Sequence, residues 1–218
     1  MLETIEKYRE YLKEDHEQSF VVLSGKGNVF ISCPHAVSQL RNGVIKSAEP
    51  ETGVMAFILN ELYRYPVIIK TSNKGDDANY DEISLYKDEC VKQIDENGYK
   101  CLLDLHLLNS DRSMDINIGT RGGQNIKDKQ ILNTVINVFL KHGFDSITID
   151  KPFGAFNPNT ISTYVNKHSC IDTLQIEINS KLAYDKKNHD YKNTKIVKMI
   201  EALNEIIVEL NSSYEKQK

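Results

Sequence analysis

The sequence predicts a single α/β domain with a mixed, mostly parallel sheet flanked by helices. Three observations predict it. Short runs rich in β-branched and aromatic residues (29–33, 66–70, 99–106, 146–150 and 171–179) alternate with segments of helical spacing. At 218 residues, 40% of them hydrophobic and 27% charged, the chain has the size and composition to bury one sizeable core. No internal repeat, low-complexity run or long linker divides it, so residues 1–218 read as one unit.

The elements follow in order. Leu2, Ile5, Tyr8 and Leu12 recur at helical spacing and predict a peripheral N-terminal helix within residues 1–18. Residues 20–24 form a strand, and Gly25-Lys26-Gly27-Asn28 is a turn signal before the run at 29–33, which together predict a β-hairpin. That glycine pair lacks the G-x-x-x-x-G-K-[ST] spacing and precedes a strand, which excludes a phosphate loop. Pro34 has no N–H for a ladder and stops the strand. His35 therefore stands at a strand's carboxyl end, where open α/β sheets place their ligands.

Residues 36–50 read as an irregular excursion, and Glu51-Thr52-Gly53 opens a helix carrying Met55, Phe57, Ile58, Leu59 and Leu62. Acidic residues at its start suit the positive end of the helix dipole. A strand at 66–70 leads into a polar surface loop at 71–80. A helix over 81–97, stopped by Gly98, precedes the strand 99–106, which again ends in a histidine. A helix over 126–142 and a strand at 146–150 follow. In the strand 171–179, Leu174, Ile176 and Ile178 face one way, and Gln175, Glu177 and Asn179 the other. Three polar side chains on one strand face are costly unless that face lines a wet or liganded site. A helix from Tyr191 to about Leu210, within 190–215, closes the chain.

With 27 basic against 31 acidic residues the net charge is -4, which gives no general attraction for nucleic acid or an anionic membrane. The charged, helical N-terminus is no signal peptide. Cys33, Cys90, Cys101 and Cys170 form no C-x-x-C pair, so the expectation is free thiols in a reducing cytoplasm.

The chemistry-bearing residues converge on one scheme. A catalytic zinc takes three protein ligands and keeps a position for water. His35, His106 and an acid from Glu49 or Glu51 supply such a set. Asp104, two residues before His106, is placed to accept the second ring proton of one ligand histidine, His106 or His35. Glu177 then serves as general base toward a metal-activated water and returns the proton to the leaving amine. Arg121, beside Thr120 in a glycine-rich loop, offers a planar guanidinium for a substrate carboxylate, with Arg64 the alternative. Gln175 and Asn179 are candidates to orient substrate. These ligands suffice for one metal, whereas two-metal phosphoesterases need more carboxylates.

The motifs Ser32-Cys33-Pro34-His35-Ala36, Glu51-Thr52-Gly53, Asp104-Leu105-His106, Ile118-Gly119-Thr120, Lys151-Pro152-Phe153-Gly154 and Gln175-Ile176-Glu177-Ile178-Asn179 occur in that order. The ordered series, spanning about residues 29 to 185, resembles the N-formylglutamate amidohydrolase family, relatives of zinc carboxypeptidases and the aspartoacylase group. The resemblance implies a zinc-carboxypeptidase-like (phosphorylase/hydrolase-like) fold with one zinc ion per chain. It also implies cleavage of an amide bond in a small N-acyl amino acid or short peptide-like substrate. It makes His35 and His106 two ligands and Glu51 the third, at a step where the family often has aspartate. Glu49 remains the competing acid. Glu177 matches the family's catalytic glutamate. The alternative is a non-catalytic domain that keeps this fold and holds a carboxylate-bearing ligand through the Arg121 loop.

Overall fold

The computed structural model describes residues 1–216. In chain order the elements are α1 (Leu2–Tyr11), β1 (Phe20–Leu23), β2 (Val29–Cys33), β3 (Gln39–Arg41), β4 (Val44–Lys46), α2 (Pro50–Tyr63), β5 (Val67–Lys70) and α3 (Leu85–Asn97). They continue with β6 (Cys101–Leu108), β7 (Ile116–Gly119), α4 (Lys129–Lys141), β8 (Ile147–Ile149), α5 (Ile161–Ser169), β9 (Asp172–Asn179), α6 (Ser180–Ala183) and α7 (Ile196–Lys216). Seven strands form one mixed sheet in the order β1-β5-β2-β6-β9-β7-β8. Its centre, β5-β2-β6-β9, is parallel, whereas β1 runs antiparallel to β5 and β7 antiparallel to β9.

Central parallel strands are covered on both faces and so read as near-continuous apolar runs. One face carries Val29, Ile31, Val67, Ile69, Leu103, Leu105, Ile176 and Ile178 into the main core, which α1, α2, α4 and α7 complete. The other face splits along its length. Phe30, Ile68 and Leu102 are sealed under α3 and α5 by Tyr86, Ile94, Ile161 and Val165. Toward the strands' carboxyl ends the same face carries Ser32, Asp104, His106, Gln175 and Glu177, all buried. The change from apolar to polar along one face places the site.

Three expectations need correction. The hairpin at 20–33 does not form, because β5 lies between β1 and β2. The Gly25–Asn28 segment instead passes across the end of α2, where the Lys26 N–H donates to the Arg64 carbonyl at 2.7 Å. The excursion at 36–50 is not irregular, since β3 and β4 pair antiparallel in register Arg41↔Val44. Asn42 and Gly43 both have positive φ (52° and 76°), the turn that Asn-Gly favours between hairpin strands. The last helix begins at Ile196 rather than Tyr191, because Tyr191 is buried against Tyr184 and hydrogen-bonds Glu51. The strand β7 and the helix α5 carry no clear periodic signal in the sequence, being short and rich in polar residues. The four cysteines are free, and no described helix is long and apolar enough to cross a membrane.

Gly53, in the first turns of α2, is pressed against the segment that carries His35. A Cβ there would lie 2.8 Å from the Ala36 Cβ and 2.9 Å from Leu12 Cδ1. Alanine normally strengthens a helix relative to glycine, but overpacking wins here. Gly53→Ala is expected to lower the free energy of unfolding by about 1–3 kcal/mol, read as a lower denaturant midpoint at unchanged slope.

Candidate active site

The site lies at the carboxyl ends of β2, β6 and β9, at the centre of the sheet. Register assembles half of it. The β6–β9 ladder sets His106 beside Glu177 and Asp104 beside Gln175, and the β2–β6 ladder sets Ser32 beside Asp104. His35 follows β2 directly after Pro34. Glu49 stands at the N-cap of α2, whose first residue is Pro50.

His35, Glu49 and His106 form a cluster of three potential metal donors. The two Nδ1 atoms are 3.2 Å apart, Glu49 Oε1 is 3.3 Å from His35 Nδ1, and Glu49 Oε2 is 3.6 Å from His106 Nδ1. A tetrahedral ion with bonds of about 2.0–2.1 Å separates its donors by about 3.3 Å, so the spacing and the N, N, O donor set fit a zinc-like cation. The outward ring nitrogens are also held. His35 Nε2 lies 3.0 Å from Asp77 Oδ1, and His106 Nε2 lies 3.0 Å from Asp104 Oδ2. Each carboxylate keeps the proton on Nε2 and turns Nδ1 inward as a ligand. Glu49 Oε2 accepts the Leu107 N–H at 2.8 Å, which fixes the carboxylate over the two rings.

Burial opposes charge throughout, and the neighbours decide the outcome. Burial would raise Glu49, but the His35 and His106 rings outweigh it and hold the carboxyl at about 2. Asp77 also lies at about 2, because His35 and Arg41 overcome its burial. Burial would lower both histidines. Glu49 and Asp77 raise His35 instead, and Asp104 takes His106 well above its ordinary value. A cation entering here displaces those extra protons from Nδ1. Glu177 behaves in the opposite sense to Glu49. Burial pushes it up to about 7; the His106 ring opposes the rise and Glu49 adds to it. Gln175 Nε2 donates to Glu177 Oε1 at 2.8 Å, which leaves Oε2 to exchange a proton.

His35, Glu49, His106, Gln175 and Glu177 line a cleft of about 460 Å³. Its far wall is the 152–157 segment, which brings Phe153 and Phe156. Asn117 anchors that segment from β7: its Nδ2 donates to the Thr148 and Lys151 carbonyls and its Oδ1 accepts the Phe153 N–H. Arg41, from the β3–β4 hairpin, also faces the cleft. Its Nε and Nη2 both lie 2.8 Å from Asp77 Oδ2, and its guanidinium packs 4.8 Å from the Tyr80 ring centroid.

Several sequence expectations are redirected. Glu49, not Glu51, meets the two histidines. Two residues along the start of a helix turn a side chain by roughly 200°, so the two acids diverge. Glu51 points toward Arg9 Nε and the Tyr191 hydroxyl, each at 3.3 Å. Arg121 is not among the cleft-lining residues. It sits in a left-handed turn whose N–H donates to the Gly154 carbonyl. Thr120 is buried, its N–H and Oγ1 bound to the Asp150 carboxylate at 2.6 and 2.8 Å. Asn179 is fully buried and holds the Arg112 and Met114 carbonyls, a structural task. His35, His106, Asp104, Gln175 and Glu177 come together. Asp77 and Arg41 went unread, although Asn42-Gly43 signals the hairpin that delivers Arg41.

No family model and no curated protein sequence matches the chain. Solved structures do. The chain shares the fold of N-formylglutamate amidohydrolase. The enzyme of that name from Ralstonia eutropha JMP134 superposes at a TM-score of 0.65 with 12% identity, over 92% of this chain and 99% of that one. A bacteriophage poly-gamma-glutamate hydrolase gives 0.61 at 14% identity over 94% of both chains. A metallo-carboxypeptidase from Burkholderia cenocepacia gives 0.54 at 14% identity over 89% of this chain and 61% of that one. The resemblance read from the ordered motifs thus holds at the level of fold, the carboxypeptidase-like architecture included.

The buried Glu177 has a consequence for stability. Its folded pKa of about 7 exceeds the ordinary 4.5, so its contribution is fully present below about pH 4.5 and is lost as pH rises through 7. In metal-free protein at pH 8, Glu177→Gln should therefore be more stable than the parent by on the order of 1–3 kcal/mol. Denaturant melts at pH 4 and pH 8 check this, and the difference should vanish at the lower pH.

Proposed function

We propose that the protein is a zinc-dependent amidohydrolase acting on an N-acyl amino acid or peptide-like substrate. The observation that carries this reading is the convergence of His35, Glu49 and His106 on one point, with Glu177 beside His106 in the sheet register. The names of the structural neighbours, an amidohydrolase, a hydrolase and a metallo-carboxypeptidase, support the reaction class.

When bound, the cation supplies Lewis-acid polarisation of the scissile carbonyl and acidifies a water. The remaining chemistry belongs to this chain. Glu177 Oε2 takes a proton from the attacking water and delivers it to the amide nitrogen as the C–N bond breaks, so that the acid and amine products share the elements of water. A carboxyl near pH 7 suits both halves of that transfer. Gln175 holds Oε1 and keeps the shuttle aimed. Asp77 and Asp104 hold the ligand rings in place. Arg41 spends Nε and Nη2 on Asp77 and keeps Nη1 for a substrate carboxylate, the role first read onto Arg121.

Metal analysis of the purified protein should find about one zinc per chain, with His35→Ala or His106→Ala losing it. Glu177→Gln should retain the zinc and lose about 10²–10⁴-fold in kcat. Protein without metal, or a Glu177→Gln variant of full activity, would falsify the mechanism.

Arg41→Ala separates two roles. For an N-acyl amino acid with a free carboxylate, kcat/KM should fall about 10–100-fold, the range of one charged hydrogen bond. For the corresponding amide, which lacks the charge, the fall should be much smaller. Equal losses on both would mean that Arg41 acts only through Asp77.

A further inference from the structure

The metal cleft does not end at Glu49. A second cavity, of about 250 Å³, lies on the other side of Glu49 and Leu107, which line both. A third, of about 280 Å³, continues from it and shares Ser180, Tyr184 and Lys186 with the second. The three cavities adjoin through shared lining residues, and the metal donors line the first of them, with Glu49 at its boundary with the second.

Of the nine buried side-chain polar atoms without a partner among the described residues, two belong to residues that line these cavities, one on each side of Glu49. Gln175 lines the metal cleft and is 4% exposed. Its amide nitrogen is committed to Glu177, and its Oε1 is an acceptor with no donor. Ser180 lines the second and third cavities, is 6% exposed, and its Oγ has no partner. A buried polar atom without a partner costs free energy, and at these two cavity-lining residues a ligand group would recover it. An N–H suits Gln175, and a carbonyl or carboxylate suits Ser180.

The charges along the series are mixed, with the lysines as the exposed cations at its outer end. Glu51 is paired with Arg9, whereas Asp185, hydrogen-bonded to the neutral Asn188 with Nδ2 to Oδ2 at 2.7 Å, keeps its charge beside Lys181 and Lys186. Lys181 and Lys186 stand exposed at the third cavity, and Arg41 stands at the opposite end. Tyr184 forms the wall between, braced by the Arg9 guanidinium 3.7 Å from its ring centroid.

We infer that the site takes an extended, carboxylate-bearing, amide-linked chain that runs past the metal donors in both directions, so that an internal amide bond is cut. The inference rests on the hydrolase reading for the cut and on the adjoining cavities for the chain. An N-acyl amino acid occupies the metal cleft alone and leaves Ser180, Lys181 and Lys186 without a ligand.

The test is a length series on zinc-loaded protein: N-acetylglutamate, N-acetylated oligoglutamates of two to five units in α- and γ-linkage, and N-acetylated oligoalanines as uncharged controls. Hydrolysis is followed in the parent, and binding is measured by calorimetry in the zinc-loaded Glu177→Gln variant. For one of the two linkages, kcat/KM and affinity should each rise about tenfold or more between the single unit and four units, with little rise for oligoalanine. Lys186→Glu should reduce kcat/KM for the four-unit chain at least about fivefold more than for the single unit. Flat values across chain length in both assays, or an equal gain with oligoalanine, overturn the inference. Affinity that rises with length while no probe is cleaved supports the extended groove and removes the hydrolase reading instead.

Discussion

The registration of β6 against β9 is the constraint on which the site depends. Asp104 and His106 alternate with Leu103 and Leu105, and Gln175 and Glu177 alternate with Ile176 and Ile178. A slip of one residue in either strand would send the polar set into the main core and the aliphatic set into the cleft. The apolar half of each strand, packed on α2, α4 and α7, therefore fixes the polar half. Burial of several aliphatic side chains at about 1.5–3 kcal/mol each holds in place a polar row that would not assemble by itself. The position of Glu177 next to His106 is in this sense a product of the hydrophobic core on the opposite face.

Within that frame the electrostatics are unbalanced in a particular direction. Glu49, Asp77, Asp104 and Glu177 crowd around two imidazoles and one guanidinium; all are buried except Glu49 and Arg41, which are partly exposed. Buried charge without compensation is costly. Part of the cost is relieved by raising the histidines and part by letting Glu177 stay protonated near neutrality. A divalent cation among the three inward donors would relieve the same imbalance directly. The two devices would then compete, because protons on His35 and His106 occupy the positions a cation needs.

The sequence disclosed what local rules can carry. His35 and His106 stand out because each ends a β-forming run, and Glu177 because it belongs to a polar row in an alternating strand. The choice between Glu49 and Glu51 is a matter of helical phase at a boundary, and Pro50 as the first helical residue is the detail that puts Glu49 outside the helix. Arg121 is an arginine among glycines, a pattern that suggests a ligand-binding loop. Those glycines instead let the turn close on the Asp150 carboxylate, whose Oδ2 accepts the Gly122 N–H at 2.9 Å. Asp77 was illegible because its partners, His35 and Arg41, lie 42 and 36 residues away in sequence and meet it only in the folded chain. The failed hairpin at 20–33 has a similar cause: the β5 strand that separates β1 from β2 comes more than 30 residues later.

The β3–β4 hairpin ties these threads together. It lies in the chain between the first histidine and the acid that completes the donor set, and the Glu49 N–H donating to the His35 carbonyl at 2.8 Å closes its base. Asp77 joins the two sides: one carboxylate oxygen holds His35 Nε2 and the other holds the Arg41 guanidinium of the hairpin. In the proposed reaction, a negative group at the free edge of Arg41 would act through Asp77 on the His35 ring. Substrate charge and ring geometry would then be linked through a single buried aspartate. Val44 and Ile45 are exposed, and the hairpin is seated through Arg41 on Asp77, the Leu40 N–H on the Asp76 carbonyl and the Asn42 amide on the Tyr80 hydroxyl.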